Sequence, residues 1–168
     1  MDNIILIGMP GSGKSTVGVI LAKLLGYSFI DADLLIQQRE GKKLYEILRD
    51  DGPDYFAKVE NEVNASIDTH KTVIATGGSV VYGKEAMAHF KEIGTVVYLQ
   101  VTLSELLRRL GNYATRGILM KEGETFTDLY NQRVPLYEQY ADVTFSGTAA
   151  DLITNAESLA ARLSENKE

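Results

Sequence analysis

Cysteine is absent from the chain, so a disulfide framework, a zinc–thiolate centre and a cysteine nucleophile are all excluded. That absence is compatible with a reducing cytoplasm, the expected location. Histidine is scarce. Only His70 and His89 occur, and neither stands among acidic partners in a pattern that would make a triad or a ligand set. Both read as surface residues. An excess of positive charge is missing as well: the formal net charge is −6, which argues against a nucleic-acid or anionic-membrane surface. No apolar run is long enough to span a bilayer, and residues 3–7 are too short for the apolar part of a signal leader, so neither is expected. Repeats and low-complexity segments are lacking too. What remains is a chain of 168 residues, long enough for one domain, 1–168, with a sizeable core and a polar tail expected to fray.

Short apolar runs alternate with longer amphipathic stretches, the pattern of an α/β fold with a parallel sheet. Strands are predicted over 3–8, 27–31, 72–76, 95–101 and 142–146. Helices are predicted over 14–25, 33–40, 44–50, 55–69, 84–92, 103–111, 126–140 and 151–165. Two stretches break the alternation. Residues 33–71 hold more helix than a simple crossover needs, which marks an inserted subdomain. Residues 111–125 are rich in glycine and charge and read as an active-site lid, with a plain surface loop as the other reading.

The first strand runs into Gly8-Met9-Pro10-Gly11-Ser12-Gly13-Lys14-Ser15, a full G-x-x-x-x-G-K-[ST] phosphate-binding loop. By chance such a match arises in on the order of one chain in a few hundred, and the strand–loop–helix context makes it rarer still. The glycines let backbone N–H groups turn toward polyphosphate oxygens, and the following helix points the positive end of its dipole at them. Gly11, Ser12, Gly13, Lys14, Ser15 and Thr16 are the candidate nucleotide-binding residues. Lys14 reaches the β- and γ-phosphates, and Ser15 offers a hydroxyl to Mg²⁺.

Asp31 and Asp33 follow the second strand, where open α/β sheets place their ligands. Alternation would put both on one side if the chain stays extended. One would hold Mg²⁺, and the other would accept a proton from the hydroxyl being phosphorylated. The competing reading is a pair of helix N-cap carboxylates. Gly77 and Gly78 end the third strand and allow close backbone approach, or form an ordinary turn. Arg116 lies in the lid, and a mobile Arg closing over transferring phosphate is a recurrent device. Arg133 precedes Pro135, which interrupts its helix, and Arg108 or Arg109 could stack on adenine. Tyr130, Tyr137 and Tyr140 follow helical spacing and read as packing residues.

Taken in order, the phosphate loop, Asp31-Ala32-Asp33, Gly77-Gly78, a lid Arg and Arg133-Val134-Pro135-Leu136-Tyr137 resemble the shikimate kinase family, within the nucleoside-monophosphate-kinase-like group of P-loop folds. The resemblance runs from Asn3 to about Phe145. It implies a three-layer fold with a five-stranded parallel sheet in the order 2-3-1-4-5, a helical substrate-binding insertion and a lid. It implies that Lys14 and Ser15 serve ATP and Mg²⁺, that Asp31 supports the metal, and that Asp33 binds substrate hydroxyls and is the base. Gly77, Gly78, Ser79 and Glu60 fall in the substrate pocket by the same resemblance. Arg116 closes over the phosphates, Arg133 pairs with a substrate carboxylate, and Arg109 contacts adenine.

The chain departs from the family pattern in three places. In Phe56-Ala57-Lys58-Val59-Glu60 the Glu persists, but Ala57 stands where the family carries a carboxylate-binding Arg. Lys58 points about 100° around the helix and is no obvious substitute. Ser79 replaces the family's third glycine, and the lid reads Arg116-Gly117-Ile118-Leu119 rather than Arg-Pro-Leu-Leu. Losing one charge-assisted hydrogen bond of roughly 1.5–3 kcal/mol weakens acceptor binding about ten- to a hundredfold. The expected activity is ATP-dependent phosphorylation of a small polyhydroxylated acid, shikimate to shikimate 3-phosphate, by a monomer. A related kinase with another acceptor, a nucleotide-binding regulatory domain without transfer, and a nucleotide-acceptor kinase, for which the insertion is short, are the other readings.

Overall fold

Every residue of the first apolar run is buried, and the run forms strand β1 (Asn3–Ile7). The computed structural model describes residues 2–111, 118–148 and 151–165. Along them follow α1 (Lys14–Leu25), β2 (Ser28–Asp31), α2 (Ala32–Glu40), α3 (Leu44–Asp51), α4 (Pro53–Ala65) and β3 (Thr72–Ala75). A single 3₁₀ turn, Val80–Tyr82, leads into α5 (Lys84–Ile93) and β4 (Gly94–Gln100). The rest is α6 (Leu103–Arg109), α7 (Phe126–Tyr140), β5 (Val143–Ser146) and α8 (Leu152–Glu165). The strands pair in parallel in the order β2-β3-β1-β4-β5, as the resemblance implies.

The lack of alternation within β1 has a simple cause: helices cover both faces of the sheet. Ile5 and Ile7 pack with Met87 and Phe90 of α5 and with Leu129 and Tyr137 of α7. Ile4 and Leu6 point the other way, toward Val17 and Leu21 of α1 and Leu159 and Leu163 of α8. Helices α2, α3 and α4 have a small core of their own in Ile36, Ile47, Phe56 and Val59. The inserted helices, carried between β2 and β3, join the main core through Ala32 and Leu35 of α2. No helix among the described residues is long and apolar enough to cross a membrane.

Element boundaries shift for local reasons. α2 begins at Ala32, because Asp31 is its N-cap and accepts a hydrogen bond from the Asp33 amide at 3.0 Å. The extended conformation assumed for 31–33 therefore ends at Asp31, and of the two aspartates only Asp31 is the cap. α4 begins at Pro53 rather than 55, with the proline at its first turn, where a missing N–H costs nothing. α7 runs unbroken through Pro135, contrary to the interruption expected from sequence. The hydrogen bond that Pro135 removes would go to the carbonyl of Asn131, and both residues are exposed, so water can replace it. His89 is half-buried rather than on the surface, with Nε2 2.7 Å from the Ile67 carbonyl. The 3₁₀ turn had no counterpart in the sequence reading.

Asn3 ties together the end of the sheet away from the phosphate loop. Its amide donates to the carbonyls of Thr69 at 2.8 Å and Ile93 at 3.0 Å, and its carbonyl accepts from the Thr72 amide at 3.1 Å. At 2% exposure these bonds have no competition from water. Asn3→Ala should lower the unfolding free energy by about 2–4 kcal/mol, three buried bonds at roughly one each. The measurement is a lowered urea midpoint at unchanged m-value, with Michaelis constants unaltered.

Candidate active site

The residues that follow β1, β2 and β3 meet because parallel strands all end on one edge. Gly13 has φ 91, a left-handed conformation that glycine adopts without strain, and it caps α1 without any side-chain bond. No acidic residue lies in the first turn of α1, so its positive end is left open to an anion. Lys14 folds back on the loop. Its ammonium donates to the carbonyls of Gly8 at 2.8 Å and Met9 at 2.9 Å and to the Ser12 hydroxyl at 3.4 Å. Burial pulls its pKa down to about 8, opposed by the charge of Asp33 and reinforced by that of Arg133. Ser15 and Thr16 are exposed at the start of α1, and Ser12 is buried beneath the loop.

Ser15 donates its hydroxyl to Asp31 at 3.1 Å. This all-oxygen pair suits a hard divalent cation such as Mg²⁺, which takes few protein ligands and completes its shell with water and phosphate. No group of three or more His, Cys, Asp or Glu side chains among the described residues could hold a metal ion.

Asp33 sits in the first turn of α2, half-buried as a residue, but its Oδ1 is wholly buried and has no hydrogen-bond partner. Burial pushes its pKa up to about 6, the charge of Asp31 pushes the same way, and Lys14 opposes. Glu60, on α4, is 3% exposed. Its Oε1 accepts from the Ser79 hydroxyl at 2.6 Å, and its Oε2 is buried without a partner. Burial pushes it up to about 7 against the opposing Ser79 bond. Gly77 shows where these carboxylates aim. A Cβ built on it would stand 2.7 Å from Glu60 Oε2 and 2.9 Å from Asp33 Oδ1. Both unpartnered oxygens therefore pack directly against the Gly77 backbone, where no side chain larger than a hydrogen fits.

Arg133 brings the opposite charge. It is 1% exposed on α7, donates from Nη2 to the Leu119 carbonyl at 2.7 Å, and keeps Nε unpartnered. Its guanidinium lies 5.5 Å over the Tyr82 ring, and no ion pair to it is formed among the described residues. A buried, unpaired guanidinium is a ready partner for a carboxylate. Tyr137, one turn further along α7, donates its hydroxyl to the Gly78 carbonyl and stacks on Tyr98 with centroids 5.1 Å apart. It packs as expected from sequence, and it also holds the glycine pair in place.

Lys14, Asp33, Glu60 and Arg133 line one cavity of about 340 Å³, together with Gly11, Gly13, Ser15, Thr16, Gly77, Gly78, Ser79 and Arg109, while Asp31 and Tyr137 stand outside its lining. Leu44, Phe56, Ile118 and Leu119 supply apolar wall that sequence reasoning did not single out. Ile118 and Leu119 fall within the stretch expected to be the lid. Arg116 lies outside the described residues. Arg109 lies across the phosphate loop, bonded to Glu105 at 2.8 Å and directed at the Gly11 and Ser12 carbonyls at 3.3 and 3.4 Å. A second cavity of about 510 Å³ opens on its other side, between the ends of β4 and β5. Arg108 is exposed and, among the described residues, pairs with Glu105. Ala57 is not part of the 340 Å³ cavity; it lines one of about 250 Å³ that shares Glu60 and Ser79 with it.

A five-stranded parallel sheet with this loop after β1, and a cavity of carboxylates and cations in front of it, defines a P-loop phosphotransferase for small molecules. The family model for shikimate kinase matches residues 10–165. The chain is 41% identical over 143 residues to shikimate kinase of Clostridium botulinum (strain Langeland / NCTC 10281 / Type F), covering 83% of this chain and 84% of that one. It is 37% identical over 147 residues to shikimate kinase of Persephonella marina, covering 87% and 89%. The solved shikimate kinase from Acinetobacter baumannii in complex with shikimate superposes with a TM-score of 0.90 at 31% identity, over 99% of this chain and 95% of that one. The chain belongs to the shikimate kinase family and is an ATP-dependent small-molecule kinase.

The buried carboxyls tie stability to pH. Glu60 titrates near 7 when folded and at about 4.5 ordinarily, so the folded state binds more protons between those values and stability falls as pH rises through them. Asp33 acts in the same direction between about 4 and 6, and Lys14 opposes only above about 8. Glu60→Gln cannot ionise. In thermal melts it should exceed the parent in stability at pH 8, by on the order of 1–3 kcal/mol, and lose that advantage toward pH 5. An advantage that is flat across this range would contradict the burial argument.

Proposed function

We propose that the chain transfers the γ-phosphoryl group of ATP to a hydroxyl of shikimate, giving shikimate 3-phosphate and ADP. The observation that carries this reading is the composition of the 340 Å³ cavity: the side chains of Asp33, Glu60 and Arg133 line it, beside Lys14. A small acid with several hydroxyls satisfies all of them at once. The similar fold of a protein solved with shikimate bound supports the same acceptor.

In this reading Asp33 receives the proton of the attacking hydroxyl while the new O–P bond forms and the bond from phosphorus to the ADP oxygen breaks. A pKa near 6 leaves it ionised, yet basic enough to take a proton, at neutral pH. Lys14 and the loop amides of Gly11, Gly13 and their neighbours hold the phosphates in line and stabilise the charge that spreads over them. Mg²⁺ would be held by Ser15 and Asp31 and would neutralise phosphate charge when bound. Arg133 pairs with the acceptor carboxylate, and Gly77 and Gly78 allow its ring to approach the backbone. Arg109 lies between the phosphate loop and the second cavity, a position suited to contact with adenine. Arg116 is assigned the closing role over the phosphates, in a lid over 111–125. The inserted helices α2–α4 serve the acceptor side of a single kinase domain. The working form in this reading is a monomer in the cytoplasm. A regulatory domain without transfer has no need of a buried, unpartnered carboxylate beside Lys14.

A coupled ADP-release assay tests the acceptor: shikimate at millimolar levels should stimulate ATP turnover, and no stimulation overturns the assignment. Asp33→Asn should lower kcat by about 10²–10⁴ and leave the Michaelis constant for ATP within about threefold.

A further inference from the structure

The 3₁₀ turn Val80–Tyr82 brings an aromatic ring up to the acceptor cavity from outside it. Val80 and Val81 are buried and anchor the turn in the main core, and the amides of Tyr82 and Gly83 bond back to the carbonyls of Ser79 at 3.1 Å and Val80 at 2.9 Å. Tyr82 itself is 44% exposed, so its ring adds little to the core. That ring lies under the Arg133 guanidinium, 5.5 Å from the central carbon to the ring centroid, within cation–π range. Tyr82 and Ala57 line the 250 Å³ cavity and Arg133 lines the 340 Å³ one, so ring and guanidinium stand together between the two. Arg133 donates from Nη2 to the Leu119 carbonyl at 2.7 Å, while its Nε has no partner. A hydrogen bond at one nitrogen leaves the plane of the group free to tilt about it. A ring against the face resists the tilt.

We propose that Tyr82 is a positioning residue for acceptor binding: its ring sets the plane of the Arg133 guanidinium, so that the cation is already oriented when a carboxylate arrives. This rests on reading Arg133 as the partner of the acceptor carboxylate and deepens it, because the preference for a carboxylate then depends on a residue outside the cavity. The gain is in ordering. A long side chain fixed beforehand loses no further freedom on binding, whereas one left to tilt does. No ion pair orients Arg133 among the described residues, which leaves the ring to do so. The phenol hydroxyl has no part in this, since the face of the ring carries the contact.

The test uses Tyr82→Ser and Tyr82→Phe in the full chain, with the exposure of Tyr82 making loss of the fold an unlikely complication for neither variant to share. With shikimate as acceptor, Tyr82→Ser should raise the acceptor KM about fivefold and leave kcat and the KM for ATP within about twofold. Tyr82→Phe keeps the ring face and should stay close to the parent. With a shikimate analogue carrying a hydroxymethyl group in place of the carboxylate, Tyr82→Ser should change KM less than about twofold, since the oriented cation then has no anion to meet. Nitrogen-15 NMR of the Arg133 Nε–H, assigned through its own backbone, reads the stacking without substrate or turnover. The signal should move in Tyr82→Ser and stay in place in Tyr82→Phe. An unmoved signal in Tyr82→Ser, an unchanged shikimate KM in a parent that phosphorylates shikimate, or an equal loss with the hydroxymethyl analogue overturns the proposal. If the signal moves but the parent does not phosphorylate shikimate, the acceptor reading fails and the orientation of Arg133 by Tyr82 stands.

Discussion

Four ionisable side chains from four different helices are desolvated in one cavity, three of them with a polar atom left unpartnered, and that constraint organises the molecule. Lys14, Asp33, Glu60 and Arg133 come from α1, α2, α4 and α7. Each would be more stable in water or in a simple pair. Burial pulls Lys14 down to about 8 and pushes Glu60 up to about 7. Such an arrangement persists only where the surroundings cannot relax. A ligand with phosphates, hydroxyls and a carboxylate supplies the missing partners, so binding relieves what folding has to tolerate.

The sheet provides that rigidity. β1 is paired on both sides and packed on both faces, so the phosphate loop starts from a position with no freedom. The acceptor side is built differently. Helices α2–α4 keep a small core of their own and meet the rest of the chain at particular contacts, among them the Glu60–Ser79 bond and the Asn61 bond to the Ala86 amide.

Much of this was legible in the residues, and the exceptions have physical causes. The loop from Gly8 to Ser15 is contiguous, and its backbone geometry follows from its own glycines, so it could be read directly. Asp31 and Asp33 were recognised as a pair, but through the wrong geometry: a capping bond turns the chain into α2 at once, and the helix rather than strand alternation brings both to the loop. The interruption expected at Pro135 did not materialise, because the lost bond lies on the solvent side. Tyr137 looked like packing, and nothing local says that its hydroxyl reaches Gly78, 59 residues away.

The sequence by itself determined the class of donor, the parallel α/β pattern and the identity of the charged groups, since these depend on local spacing and on residues close together in the chain. The tertiary structure alone decided which polar atoms are left without partners. Glu60 meets Ser79 across 19 residues, Arg133 forms no ion pair among the described residues, and unpartnered oxygens of Asp33 and Glu60 pack against Gly77. Satisfaction of a buried polar atom is set by everything packed around it, and no run of neighbours in the chain carries that information.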